Sequence, residues 1–230
     1  MLSGLARAGT VRGTVTLPAE TRAADTRDGH WRVENGMLPV GPRWPDPRSE
    51  VVVVLEGGPA ADAKHKDKDK AADDKPPIIN MELHGLRLDP RVLVVPVGAT
   101  VSFKNADRVP HSLFLENAMS LMGPESQPAG QTRTVRVMAS AEYAVRDQEY
   151  PHIEGTIVAV DTSHASQVDD KGTFKIEVPE GKYKMRVYWR GEWNTLMESL
   201  EVGPRITEVS LQIPAPKVHA VGKAEKGRGE

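Results

Sequence analysis

The stretch PRVLVVPVGATVSFKNADRVPHSLF, residues 90–114, decides the fold. Residues 92–97 read as a valine-rich, half-buried strand that runs into a Pro-Val-Gly turn, and Val101 and Phe103 then alternate with polar neighbours before an Asn/Asp cluster ends the pattern. Apolar side chains two residues apart lie on one face of a strand, so the segment reads as strand, turn, strand and a polar loop that carries His111.

The same period extends outward in both directions. Val11, Val15 and Leu17 alternate before the stretch, and Phe174, Ile176 and Val178, then Tyr183, Met185, Val187 and Trp189, alternate after it. Residues 51–55, 81–88, 134–138, 143–145, 156–160 and 209–213 are read as further half-buried strands. No sustained helical period occurs, and short strands separated by Gly, Pro and Asp turns define an all-β sandwich rather than an α/β sheet.

Composition narrows the function. The chain has 230 residues, 39 % hydrophobic and 27 % charged, which is ordinary for a folded globular protein and excludes a wholly disordered one. No apolar run reaches the length of a membrane span. A formal net charge of −2 supplies no long-range field for nucleic acid or anionic lipid, so nucleic-acid binding is not expected. There is no cysteine, which removes disulfides, thiol nucleophiles and thiolate metal sites together. Gly-x-Ser-x-Gly, phosphate-loop, zincin and dinucleotide motifs are also missing, so the expectation is a protein that is not an enzyme.

The decisive stretch resembles the front half of the cupredoxin, or plastocyanin-like, family. The residues carrying the resemblance are Pro96, Gly98, Phe103, Asn105, Asp107 and His111, with His111 at the first copper ligand. YAVRDQEYPHIEGTIVAV, residues 143–160, resembles the family's ligand loop and final strand. With Gly155 on the family glycine, Asp147 falls at the cysteine, Tyr150 at the second histidine and Ile153 at the axial methionine. His111 alone survives. Because a blue copper centre depends on a thiolate, the resemblance implies the scaffold without its electron-transfer chemistry and without a cofactor.

The flanks resemble a carboxypeptidase-regulatory-like, prealbumin-type sandwich through VRGTVTLP, EVVVVLEGG and DDKGTFKIEVPEGKYKMRVYW. The combined order is similar to bacterial periplasmic proteins of the methylamine-utilisation or plastocyanin-like kind. The implied fold is a Greek-key cupredoxin-like sandwich inserted in, or joined to, a small Ig/prealbumin-like β-sandwich. Its expected parts are 9–58 with 161–214 for the discontinuous outer sandwich and 78–160 for the cupredoxin-like domain. Three segments fall outside: a charged linker at 59–77 that includes His65, a disordered tail at 215–230, and a signal-peptide remnant at 1–8, where Ala6-Arg7-Ala8 has the small-x-small form of a cleavage site. Residues 19–49, with Trp31 and Trp44, read as a long loop over a sheet end.

Two sets of candidate site residues follow. His111, Asp147 and His152 are the donors available to a copper or zinc ion bound without thiolate. Tyr188, Trp193, Met119 and Met122, with Leu121 beside them, are the candidate contact surface for a protein or glycan of the cell envelope, Trp193 being placed in an RGEWN turn. The expected location is periplasmic or secreted.

Overall fold

The computed structural model describes residues 8–18, 47–58 and 76–215. The expectations for the signal remnant, the long loop with Trp31 and Trp44, the charged linker with His65 and the tail lie outside the described residues, apart from a few positions at their margins.

Fifteen strands are described: β1 Ala8–Thr16, β2 Val52–Gly57, β3 Ile78–Leu83, β4 Leu88–Asp89, β5 Val92–Pro96, β6 Thr100–Asn105, β7 Leu113–Leu115, β8 Thr132–Arg136, β9 Glu142–Asp147, β10 Glu154–Val160, β11 Ala165–Gln167, β12 Thr173–Pro179, β13 Gly181–Trp189, β14 Glu192–Val202 and β15 Ile206–Gln212. They form four sheets, ordered β12-β1-β15, β11-β2-β13-β14, β5-β10-β9-β7 and β4-β3-β6-β8. The protein is an all-β, multi-sheet sandwich. Among the described residues no helix is long and apolar enough to cross a membrane.

The cores follow from strand alternation. Val11, Val53, Leu55, Phe174, Ile176, Met185 and Trp189 fill one core between the first two sheets. Met81, Phe103, Leu113, Val145, Ile153 and Ile157 fill a second between the other two. β1 lies at the centre of its sheet, antiparallel to β12 and parallel to β15, so residues from opposite ends of the described chain share one sheet.

A third apolar cluster corrects the reading of residues 51–55, 92–97 and 156–160 as half-buried strands. Val52, Val54, Val92, Val158, Val160 and Tyr188 are buried together on the faces that point away from the two cores, with Val94, Ala165 and Trp193 against them. In β2, Val53 and Leu55 serve one core while Val52 and Val54 serve this seam; in β10, Ile157 and Ala159 serve the other core while Val158 and Val160 serve the seam. A run of consecutive apolar residues is the sequence form of a strand covered on both faces. Arg91 adds a polar clasp at the rim by reaching both Glu50, at 3.0 Å, and Glu154.

Three strands were not foreseen from the sequence: β7, β11 and the eleven-residue β14. β14 pairs with β13 through a turn of only Arg190 and Gly191, both at positive φ (49° and 81°), the conformation that joins two twisted antiparallel strands most tightly. Trp193 therefore stands on a strand, opposite Tyr188, and not in a turn. Residues 81–88 are two strands, parted by a turn in which Leu86 has φ 58°.

Candidate functional site

One end of the second sandwich gathers the polar residues singled out from the sequence. Asn105 closes β6 and is buried; its amide nitrogen donates to Val109 O at 2.9 Å and Gln127 O at 2.8 Å, while its oxygen accepts from Asp107 N at 2.9 Å. These bonds bend residues 106–110 into the loop that delivers His111. Asp107 in turn accepts from Gly85 N at 2.6 Å and Leu86 N at 2.9 Å, which offsets the cost of about 1–2 kcal/mol for the left-handed Leu86 backbone.

His111 exchanges two backbone hydrogen bonds with Gln127 and has no exposed surface. Its Nδ1–H donates to Asp147 Oδ2 at 2.8 Å, a carboxylate oxygen being able only to accept. Asp147, at the end of β9, is itself buried, and its other oxygen accepts from Glu149 N at 2.8 Å and Tyr150 N at 3.0 Å. Both carboxylate oxygens are thereby engaged. His111 Nε2 is buried without a hydrogen-bond partner; Asp107 Oδ2 stands 3.3 Å away but in a direction that makes no such bond. The Tyr150 ring covers the imidazole at 5.0 Å between centroids, and Ile153 is buried in the adjoining core.

Gly155 has a steric reason to lack a side chain, because a Cβ there would come within 2.8 Å of Leu88 Cδ1 and 3.0 Å of the Arg91 carbonyl oxygen. The four positions 111, 147, 150 and 153 thus meet at one end of one sandwich. His152 does not join them: it is exposed, with its ring against the edge of Tyr150 at 6.2 Å. Among the described residues no group of three or more His, Cys, Asp or Glu is placed to hold a metal ion. The donor set does not fit a type 1 copper centre, since no thiolate exists in the chain and the nearest carboxylates are committed to amides and to His111.

The candidate contact residues are dispersed. Tyr188 is 3 % exposed and lies in the seam, where its hydroxyl donates to Glu142 Oε2 at 3.0 Å, so it is closed to an external partner. Its hydroxyl pKa is pushed up, first by burial and then by the Glu142 carboxylate. Trp193 is half-buried beside it, with ring centroids 5.3 Å apart and the Arg186 guanidinium 4.7 Å from the indole. Met122 is buried in the second core. Met119 and Leu121 are the exposed members, at 55 % and 45 %. Gln127 and Glu142 were missed from the sequence, and neither had a local signal: each acts through a bond to an element distant along the chain.

The fold and this site define an all-β, multi-sheet sandwich protein with a buried histidine–carboxylate pair at one end. No family model matches the chain, and no curated protein does. Among solved structures it is similar to a mutant of amicyanin in its Cu(I) form (18 % identity over 36 % of this chain and 82 % of that one, TM-score 0.33). It is also similar to a purple cupredoxin from Nitrosopumilus maritimus (19 %, 35 % and 98 %, TM-score 0.33) and to the copper-containing nitrite reductase of Thermus scotoductus SA-01 (22 %, 40 % and 24 %, TM-score 0.34). Likenesses this distant transfer no chemistry to the present chain.

Proposed function

We propose that this is a non-enzymatic, exported binding or structural protein of the bacterial cell envelope, built on a degenerate cupredoxin scaffold that has given up type 1 copper electron transfer. The observation that carries the reading is the commitment of His111 Nδ1 to Asp147 within a fully buried site. A side chain held in this way serves as an internal strut for the loops 106–110 and 148–153, which stay free to vary in contact with a protein or glycan. The same proposal takes residues 78–160 as a cupredoxin-like unit inserted in a prealbumin-type sandwich formed by 9–58 and 161–214.

A second reading, copper or zinc held by His111 with oxygen donors, is favoured by one fact: the unpartnered Nε2 of His111. Equilibrium dialysis against copper(II) and zinc separates the two. The first reading expects no stoichiometric uptake at micromolar metal; one-to-one uptake of copper with reversible reduction overturns it.

A further inference from the structure

A concavity of ≈ 590 Å³, sharing no lining residue with the His111 site, lies over the outer face of the β12-β1-β15 sheet, and β11 with the turn that follows it forms one wall. Strand register arranges its floor in two cross-strand rows: Lys175, Arg12 and Glu208, then Thr173, Thr14 and Ser210. Every one of these side chains points away from the core, since the intervening Val11, Val15, Phe174, Ile176, Val209 and Leu211 are buried on the other face.

The charges in the concavity are not equivalent. Lys175 is tied to Glu177 at 2.6 Å. Asp169 spends its carboxylate on its own turn, accepting from Lys171 N, Thr173 N and the Thr173 hydroxyl at 2.7–2.9 Å. Arg12 and Glu208 are direct neighbours in the register, yet neither has an ion pair or side-chain hydrogen bond among the described residues. A floor with a free guanidinium fork, a free carboxylate and the hydroxyls of Thr14 and Ser210 matches a ligand with one carboxylate and several vicinal hydroxyls. A guanidinium can pair with a carboxylate in bidentate fashion, and a carboxylate and hydroxyls can accept from or donate to ring hydroxyls. Its volume is in the range of sites for small organic ligands.

We propose that this sheet face is a binding site for an acidic oligosaccharide, with Arg12 reading the sugar carboxylate and Glu208, Thr14 and Ser210 reading its hydroxyls. The proposal rests on the binding-protein reading above and gives it a ligand class. Among the described lining residues no exposed aromatic side chain is offered for stacking, Phe174 being buried, so recognition by this face depends on hydrogen bonds and charge.

The test is a titration of the whole protein with tetragalacturonate, followed by amide chemical shifts, with neutral galactotetraose and a peptide ending in glutamate as comparisons. Saturable shifts confined to β1, β12 and β15 with the acidic sugar are expected, weakened about tenfold or more by Arg12→Ala and restored in part by Arg12→Lys. Arg12 is exposed, so both variants keep the fold, and circular dichroism checks it. No saturable shift, equal response to the neutral sugar, indifference to Arg12→Ala, or a response to the peptide alone each overturns the proposal. Failure here leaves the metal-dialysis result untouched, whereas copper uptake at His111 would sink the broader reading without moving these resonances.

Discussion

The Tyr188 hydroxyl, on a strand lining the first core, donates to the Glu142 carboxylate on a strand lining the second, and this bond crosses the apolar seam between them. Tyrosine in the unfolded chain ionises near pH 10, while the folded pKa lies above that. The raised value means the stabilisation is complete below about pH 10 and is lost as pH rises through the folded pKa, because the unfolded state releases the proton first. Tyr188→Phe should cost about 1 kcal/mol at neutral pH and flatten the alkaline limb of stability, measured by urea unfolding from pH 8 to 11. An unchanged alkaline limb would contradict the role given to this hydroxyl.

The seam also predicts how the molecule unfolds. Val54→Asp places an unpaired carboxylate where the native side chain is 1 % exposed, with a cost of about 3 kcal/mol or more. Hydrogen exchange should then accelerate in β2 and β13 and equally in β5 and β10, since both sheets lose the same face. Faster exchange in one sandwich alone would show that the cores open separately.

His111 and Asp147 should behave as one unit. Removing either partner leaves a buried polar atom of the other, Asp147 Oδ2 or His111 Nδ1, without its bond, so His111→Ala and Asp147→Ala should each cost about 3–5 kcal/mol. The double variant should cost less than the sum by about 1–3 kcal/mol. Asp147→Asn should be milder than Asp147→Ala, because an amide oxygen can still accept from Glu149 N and Tyr150 N. Strict additivity in denaturant melts would dissolve the pair.

The register of the loop 147–155 is open to a constructive test. Asp147→Cys, Tyr150→His and Ile153→Met introduced together should give the blue absorption of a copper–thiolate bond on adding copper(II), with His111 released from its carboxylate. A folded triple variant that stays colourless would show that these positions do not converge as donors.

How much of this was legible depended on whether a residue acts locally. The resemblance of residues 96–111 and 143–160 to the cupredoxin family, anchored on the glycine at 155, placed the end that gathers His111, Asp147, Tyr150 and Ile153; strand phase and turn residues by themselves give the strands and the loop but not that convergence. The seam was present in the letters as consecutive valines at 51–54, yet alternation was assumed where the run had none. β14 escaped for a different reason. Its register slips twice against β13, between Tyr183 and Met185 and again between Met185 and Arg186, and each slip breaks the two-residue period that announces a strand. Tyr188 looked available because its phase opposite Trp189 marks an outer face, and the sequence gives no sign that another sheet covers that face.

Because β1 sits between β12 and β15, it is synthesised long before either neighbour and has no sheet to join while the ribosome is still at work on the middle of the chain. Residues 78–160 emerge complete with both of their sheets, so they can close first and offer a finished valine surface on which the late-arriving hairpin β13–β14 docks. An early strand whose partners come last ties completion of its sheet to the synthesis of nearly all of the described chain.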